Sequence, residues 1–209
     1  MPLSPPAPRR PLHTRRIECR GYRRDDGLWD IEGHLTDTKD YAFSNAHRGT
    51  IEPGEPLHDM ALRLTVDDDL TIVAAEAVTD AAPFGVCDAI APAFARLEGL
   101  AIRPGFNRKV KALLGGVRGC THLVDLIGPV ATTAFQTLYP ILQREREARG
   151  EASADRQGRK PGLIDSCHAF AADGAIVRQR WPEWYTGAAA ASDAAADPDG
   201  TGTAGTGGG

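Results

Sequence analysis

Two segments in which apolar and polar residues alternate constrain the fold more than any other feature of the sequence. In residues 28–38, Trp29, Ile31 and Leu35 alternate with polar residues, and residues 58–66 repeat the pattern. A period of two is typical of a β-strand with one buried face. Each segment is joined to another strand-like run through an acidic turn, "DDG" or "DDD". The sequence therefore predicts two β-hairpins.

The pattern becomes helical after these hairpins. Residues 84–99 are predicted to form a short helix, and residues 104–114 a second one that begins with a proline and ends before two glycines. Apolar residues at three- and four-residue steps then predict a long helix from Thr121 to about Glu147.

Two other segments lack this regularity. Residues 39–56 have no period and are expected to form a long loop. After a charged loop, residues 163–184 are expected to contain a short apolar element, a turn at Asp173 and Gly174, and a strand.

Because strands precede helices, the sequence favours an α+β fold, with an antiparallel sheet of four or more strands covered by about three helices. We expect a single domain at residues 15–185. The Pro- and Arg-rich residues 1–14 are expected to form a flexible arm, and the Ala-, Gly- and Asp-rich residues 186–209 a disordered tail.

Composition and charge limit the kinds of partner that the chain is expected to bind. The net charge of −4 and the pI of about 5.9 mean that the whole chain lacks the positive charge typical of nucleic-acid-binding proteins. There is no apolar run of eighteen residues and no apolar segment after the basic N-terminus, so we expect no membrane span and no secretory signal. The four cysteines are widely spaced, which suits reduced thiols in a cytoplasmic protein.

A cysteine and a histidine lie at the predicted start of the long helix, in "GGVRGCTHLVDL". Helix N–H groups would stabilise a thiolate at Cys120, which makes it a candidate nucleophile or metal ligand. Residues two apart in a helix point about 200° apart, so Cys120 and His122 share a site only if Cys120 precedes the helix. Asp125 shares a face with His122 and could orient the imidazole. The alternative is that Cys120 is a small core residue and that His122 caps or packs.

Cys87 lies near another predicted helix start, after "APFGV". Taken alone, it is either a packed thiol or a functional residue. If both helix starts meet at one edge of the sheet, Cys87, Cys120 and a histidine such as His122 would form a site suited to zinc or iron.

Two histidines in the predicted strands are further candidates. His58 lies on the same face as Met60, where it is either a structural residue or a ligand or base. His34 lies on the polar face with Asp30 and Glu32, which makes it either a candidate general acid or part of a solvated surface.

The stretches "YRRDDGLWDIEGHLTDTK", "HDMALRLTVD" and "GGVRGCTHLVDLIGPVATTAFQT", in this order, resemble a bacterial family known as domain of unknown function 2889, over about residues 14–182. This resemblance implies no catalytic role. A second resemblance concerns architecture: "GVCDAIAPAFARLEGL" and "GVRGCTHLVDLIGPVATTAF" are similar to the cysteine-bearing segments of iron–sulfur scaffold and sulfur-acceptor proteins of the NifU and SufE type. It would imply a similar fold, with Cys87 and Cys120 at the two cysteine positions.

The leading hypothesis is an enzyme that acts on a small-molecule substrate through a Cys/His site, which is either metal-bound, with zinc or iron, or thiolate-based. Cys120 would be the ligand or nucleophile, Cys87 a second ligand, His122 or His58 a ligand or base, and Asp125 the orienting acid. Two alternatives stay open: a non-catalytic sulfur, iron–sulfur or metal carrier, and a small-molecule binding module with structural cysteines.

Overall fold

The computed structural model describes residues 3–151 and 160–187 of the chain. The chain divides into two compact units, Met1–Ala148 and Arg149–Gly209. The first strand begins at His13, and residues 3–12 before it are exposed and have no helix or strand. The predicted tail lies almost entirely outside the described residues.

The larger unit is built on β-strands that follow one another in antiparallel hairpins. They are β1 (His13–Arg23), β2 (Trp29–Lys39), β3 (Phe43–Asn45), β4 (Gly49–Ile51), β5 (Pro56–Val66) and β6 (Ile72–Ala81). One sheet contains four strands in the order β1-β2-β5-β6, and β3 and β4 form a separate pair. The two predicted hairpins are confirmed as β1–β2 and β5–β6. The prediction of a loop throughout residues 39–56 is wrong, because β3 and β4 lie inside it; strands of three residues are too short to show a period.

Helices cover one face of this sheet. A 3₁₀ helix spans Asp88–Leu97, α1 spans Phe106–Leu114, a 3₁₀ turn follows at Gly116–Arg118, and α2 spans Thr121–Ala148. The three predicted helices and the α+β class are confirmed. The first helix is of the 3₁₀ type and contains Pro92, whose ring and missing N–H oppose a regular α-helix.

The core of the larger unit lies between the sheet and the helices. Alternate residues of β2 and β5 form its sheet side, and residues of α2 at three- and four-residue steps form its helix side. Core side chains with no exposed surface include Trp29, Ile31, Leu35, Met60, Leu64, Phe94, Leu97, Leu123, Leu126 and Val130.

Two glycines allow α2 to lie close against the sheet. A Cβ at Gly33 in β2 would lie 2.5 Å from Cγ2 of Val130, and a Cβ at Gly21 in β1 would lie 2.0 Å from Oγ1 of Thr137. Neither distance is compatible with van der Waals packing. The distance between α2 and the first two strands therefore depends on the absence of side chains at these positions.

The smaller unit contains only short helices in its described part. They are a 3₁₀ turn at His168–Phe170, α3 (Ala175–Arg180) and a 3₁₀ turn at Pro182–Trp184. The prediction of a strand after Gly174 is wrong, because this segment forms α3. Val177 and Trp181, four residues apart, are both buried in a small cluster with Ile164, and this spacing places them on one helix face. In the part of the chain that the structure describes, no helix combines the length and apolarity needed to cross a bilayer.

The packing of α2 on Gly33 predicts a coupled pair of substitutions. Gly33→Ala should lower the free energy of unfolding by about 1–3 kcal/mol, since its methyl group would overpack the core. Val130→Ala removes the Cγ2 methyl group that a side chain at position 33 would meet. In that background, Gly33→Ala should lower the free energy of unfolding by at least about 0.5 kcal/mol less. Urea denaturation of the two single variants and the double variant measures the coupling, and additive effects would contradict the close approach of α2.

Candidate functional site

A row of three polar residues crosses the sheet on its core-facing side. Arg15 of β1 pairs with Asp37 of β2, and Asp37 pairs with His58 of β5. The alternation explains their orientation, because Asp37 follows Leu35 by two positions and His58 precedes Met60 by two. Asp37 is only 1% exposed and His58 8% exposed. The apolar stripes of the two central strands thus end in a buried carboxylate and a buried imidazole.

Arg15 is the main partner of the buried carboxylate. Its Nε lies 2.8 Å from Oδ1 of Asp37 and its Nη2 lies 2.8 Å from Oδ2, which is a bidentate pair. Nδ1 of His58 lies 3.0 Å from the same Oδ2, and Nε2 of His13 lies 3.2 Å from Oδ1. Burial, the largest single influence, raises the pKa of Asp37, but Arg15 and His58 together lower it to about 2. The carboxyl group is therefore ionised at neutral pH.

The start of α2 covers this row. The ring of His122 lies over the ring of His58, with 3.7 Å between their centroids and 30° between their planes. Nε2 of His122 lies 3.9 Å from Oδ2 of Asp37. One turn further along α2, Oδ2 of Asp125 accepts a hydrogen bond of 3.1 Å from Nη1 of Arg15. Arg15 therefore connects the sheet to the first turn of the helix.

Both histidines favour the neutral form. Burial lowers the pKa of His58, and the nearby His122 lowers it further. Burial also lowers the pKa of His122, and the guanidinium of Arg15 adds to this effect. Two imidazolium rings in face-to-face contact would repel each other. The site thus combines an ionised carboxylate with two neutral imidazoles.

This combination could hold a metal ion. Asp37, His58 and His122 each offer one ligand atom, and these atoms all lie within 4.8 Å of one another. Metal ligands must be deprotonated, and the lowered pKa values of these three residues favour that state. The arrangement of two imidazoles and one carboxylate is one that zinc and non-haem iron enzymes use.

The structure brings some of the sequence candidates together and separates others. His58 and His122 are in contact, and Asp125 is connected to them through Arg15. Cys120 directly precedes α2, and its Sγ lies 3.9 Å from Nδ1 of His122. Cys120 packs at the margin of the core rather than in the group of metal-ligating atoms.

Two other sequence candidates are not part of this group. Cys87 is at the start of the 3₁₀ helix Asp88–Leu97 and is not one of the three possible ligands. His34 is exposed on the opposite face of the sheet, where its Nε2 contacts the carboxylate of Asp59. Its predicted acid neighbours, Asp30 and Glu32, contact arginines instead.

Sequence reasoning missed Asp37 and Arg15. The signal for Asp37 was present, because positions 29, 31, 35 and 37 have the same parity and so lie on one face of a strand. A charged residue in phase with an apolar stripe indicates either a strand end or a buried functional group. Arg15 gave no such signal, since the apolar alternation of β1 is weak and most of its residues are exposed.

The low pKa of Asp37 predicts an acid-sensitive component of stability. A carboxyl group with a pKa of about 2 when folded, instead of the usual 3.8, stabilises the folded state by roughly 2 kcal/mol above about pH 4. That contribution is lost as the pH falls towards 2, because the unfolded chain takes up the proton first. Urea titrations between pH 5 and pH 2 measure the unfolding free energy. The wild-type value should fall over this range, and the fall should be smaller by about this amount in Asp37→Asn. Asp125→Asn leaves the buried pair intact and should retain the fall; equal slopes in wild type and Asp37→Asn would refute the assignment.

Comparison with known proteins places the chain in a family without assigning it a reaction. No curated protein and no solved structure matches the chain. The resemblance to iron–sulfur scaffold proteins therefore has no support from these comparisons. The family model described as "Protein of unknown function (DUF2889)" matches residues 13–136, which include Arg15, Asp37, His58 and His122, and the chain belongs to that family.

Proposed function

We propose that the protein is a metal-dependent enzyme acting on a small molecule, with Asp37, His58 and His122 as the ligands of a zinc or iron(II) ion. The observation that carries this proposal is the convergence of three ligand atoms within 4.8 Å of one another on the core side of the sheet. Two strands and the first turn of α2 supply these atoms, so the geometry is held by rigid elements rather than by loops.

The protonation states and the partners of these residues support a metal centre. An ionised carboxylate has about four lone-pair positions. Arg15 uses two of them, and His58 and His13 face the other two, so an ion bound by Asp37 would take the Oδ2 position that now faces Nδ1 of His58. Arg15 also fixes the orientation of the carboxylate, as a partner outside the ligand set commonly does. The neutral imidazoles each offer a nitrogen lone pair, which is the form that binds metal.

Three protein ligands leave coordination positions for water and substrate. A bound ion would supply Lewis acidity or an activated water. The side chain of His122 is 28% exposed while that of Asp37 is 1% exposed, so substrate would approach from the side of His122. Cys120 and Asp125 are both next to His122 on this side, and they are the residues best placed to orient the substrate.

A second candidate function needs no metal. Nδ1 of His58 lies 3.0 Å from the carboxylate of Asp37, and an imidazole oriented in this way can act as a general base through its other nitrogen. The carrier hypothesis has less support. Among the described residues, the group able to bind a metal contains no cysteine, whereas a sulfur or iron–sulfur carrier depends on thiolates. For a simple binding module, the buried carboxylate would have no evident use.

Metal content tests the leading proposal. Protein purified without a chelator or a nickel column should contain zinc or iron close to one ion per chain by elemental analysis. His122→Gln should lower the affinity for that ion by more than about tenfold, because it removes a direct ligand where even the loss of a supporting residue costs about 10–100-fold. His34→Gln, on the exposed opposite face of the sheet, is the matched control and should bind like wild type. Folded protein that neither contains nor takes up zinc or iron(II) would contradict the metal centre and favour the Asp37–His58 base.

A second measurement asks whether the metal centre is open, as catalysis requires. Cobalt(II) in place of the native ion should give a visible absorption spectrum that changes when azide is added, because azide would occupy the position that substrate or water uses. In His122→Gln, the cobalt(II) spectrum should appear only at a metal concentration more than about tenfold higher. A spectrum insensitive to azide would indicate a closed structural metal site and would contradict the proposed enzymatic function.

A further inference from the structure

A groove lies between α1 and the first turns of α2, and Asp125, one of its lining residues, contacts Arg15 of the candidate site. Its volume is about 410 Å³, which is within the range of about 300–1,000 Å³ for small-molecule pockets. Its floor is apolar and buried, formed by Val110, Leu114 and Ile127. Exposed polar side chains line its rim, among them Lys111 and Thr121. The groove thus offers an apolar surface bordered by polar groups.

The groove is connected to the candidate metal centre through one side chain. Asp125 lines the groove and accepts the hydrogen bond from Arg15. The same guanidinium binds Asp37. Asp125 lies one helical turn after His122 on the same side of α2, whereas Val124 and Gly128 line the groove on the flank that faces α1. A molecule in the groove would therefore reach the candidate centre past Asp125.

The segment that contains α1, one wall of the groove, is strongly basic although the chain is acidic overall. The whole chain carries −4, but residues 103–118 contain five basic residues and no acidic one. These are Arg103, Arg108, Lys109, Lys111 and Arg118, and all of them are exposed. Within the described part of the chain, none of these five forms an ion pair. The carboxylate in the groove, Asp125, is already paired with Arg15.

From this we infer that the groove binds a small organic anion with an apolar body, and that such anions are the substrate class of the proposed enzyme. The apolar body would lie on Val110, Leu114 and Ile127, and the anionic group would bind Lys111 at the rim. The surrounding basic residues would raise the local concentration of anions and speed their association. The assignment as substrate rests on the proposed function, whereas the binding of an anion in the groove does not.

Hexanoate and hexylammonium are matched probes for this groove, because they share an apolar chain and differ in the sign of the charge. In metal-free protein, hexanoate should shift the amide NMR signals of residues that line the groove, and hexylammonium should bind at least about tenfold more weakly. Lys111→Met should weaken hexanoate binding by about tenfold. Lys109→Met is the control, since this exposed lysine of the same helix does not line the groove; it should change the affinity by less than about twofold. Equal binding of the two probes, or no effect of Lys111→Met, would overturn the anion site.

A paramagnetic ion separates this inference from the proposed function. With manganese(II) bound at the candidate centre, the proton signals of groove-bound hexanoate should broaden, and His122→Gln should need more than about tenfold more manganese(II) for the same broadening. If manganese(II) binds and hexanoate shifts the groove signals without broadening, the assignment as substrate is overturned and the metal centre stands. If the protein binds no metal, the groove shifts in metal-free protein still decide whether the anion site exists.

Discussion

The ion pair between Arg15 and Asp37 is the interaction on which the candidate site depends. A carboxylate that is 1% exposed on the core side of a sheet loses several kcal/mol of hydration. Two hydrogen bonds from Arg15 and one from His58 offset that loss and hold the pKa of Asp37 at about 2. Replacing a buried ion pair by well-packed apolar residues is often neutral or stabilising, so stability alone is a weak reason for a charge at this position. The proposed metal centre would supply a reason, because a buried and ionised carboxylate is a strong ligand for a cation.

Packing between α2 and the sheet decides where the histidine of the helix meets this carboxylate. Gly21 and Gly33 allow close approach of the helix, and the contact of Arg15 with Asp125 ties its first turn to β1. His122 is consequently held 3.7 Å above His58, between ring centroids. A side chain at Gly33 would move the helix as well as strain the core, and a shift of about 1 Å is enough to disturb catalytic geometry. The fold and the site therefore share the same constraints.

Local patterns allowed the strands of the four-stranded sheet and the helices that cover it to be predicted, whereas the site depends on pairing between distant strands. The period of two placed His58 on the buried face of β5, and the change to a helical period placed His122 at the start of α2. Asp37 has the same phase as Leu35, but its contact with His58 follows from the register of β2 on β5, which no local pattern contains. The cysteines were candidates because each is next to a glycine-containing turn at a helix start. Among the described residues, the group of possible metal ligands contains neither Cys87 nor Cys120.

Charge balance connects the candidate centre with the groove. Asp37, Asp125 and Arg15 together carry a formal charge of −1, and the two histidines favour the neutral form. A divalent ion would change the total to +1, in a partly buried setting where charges are weakly screened. An anionic substrate would then neutralise the centre, while a cationic one would add to its charge. The basic residues of α1 act in the same direction as the metal, since they favour anions at the entrance to the groove. Metal binding and anion binding would therefore reinforce each other at this end of the sheet.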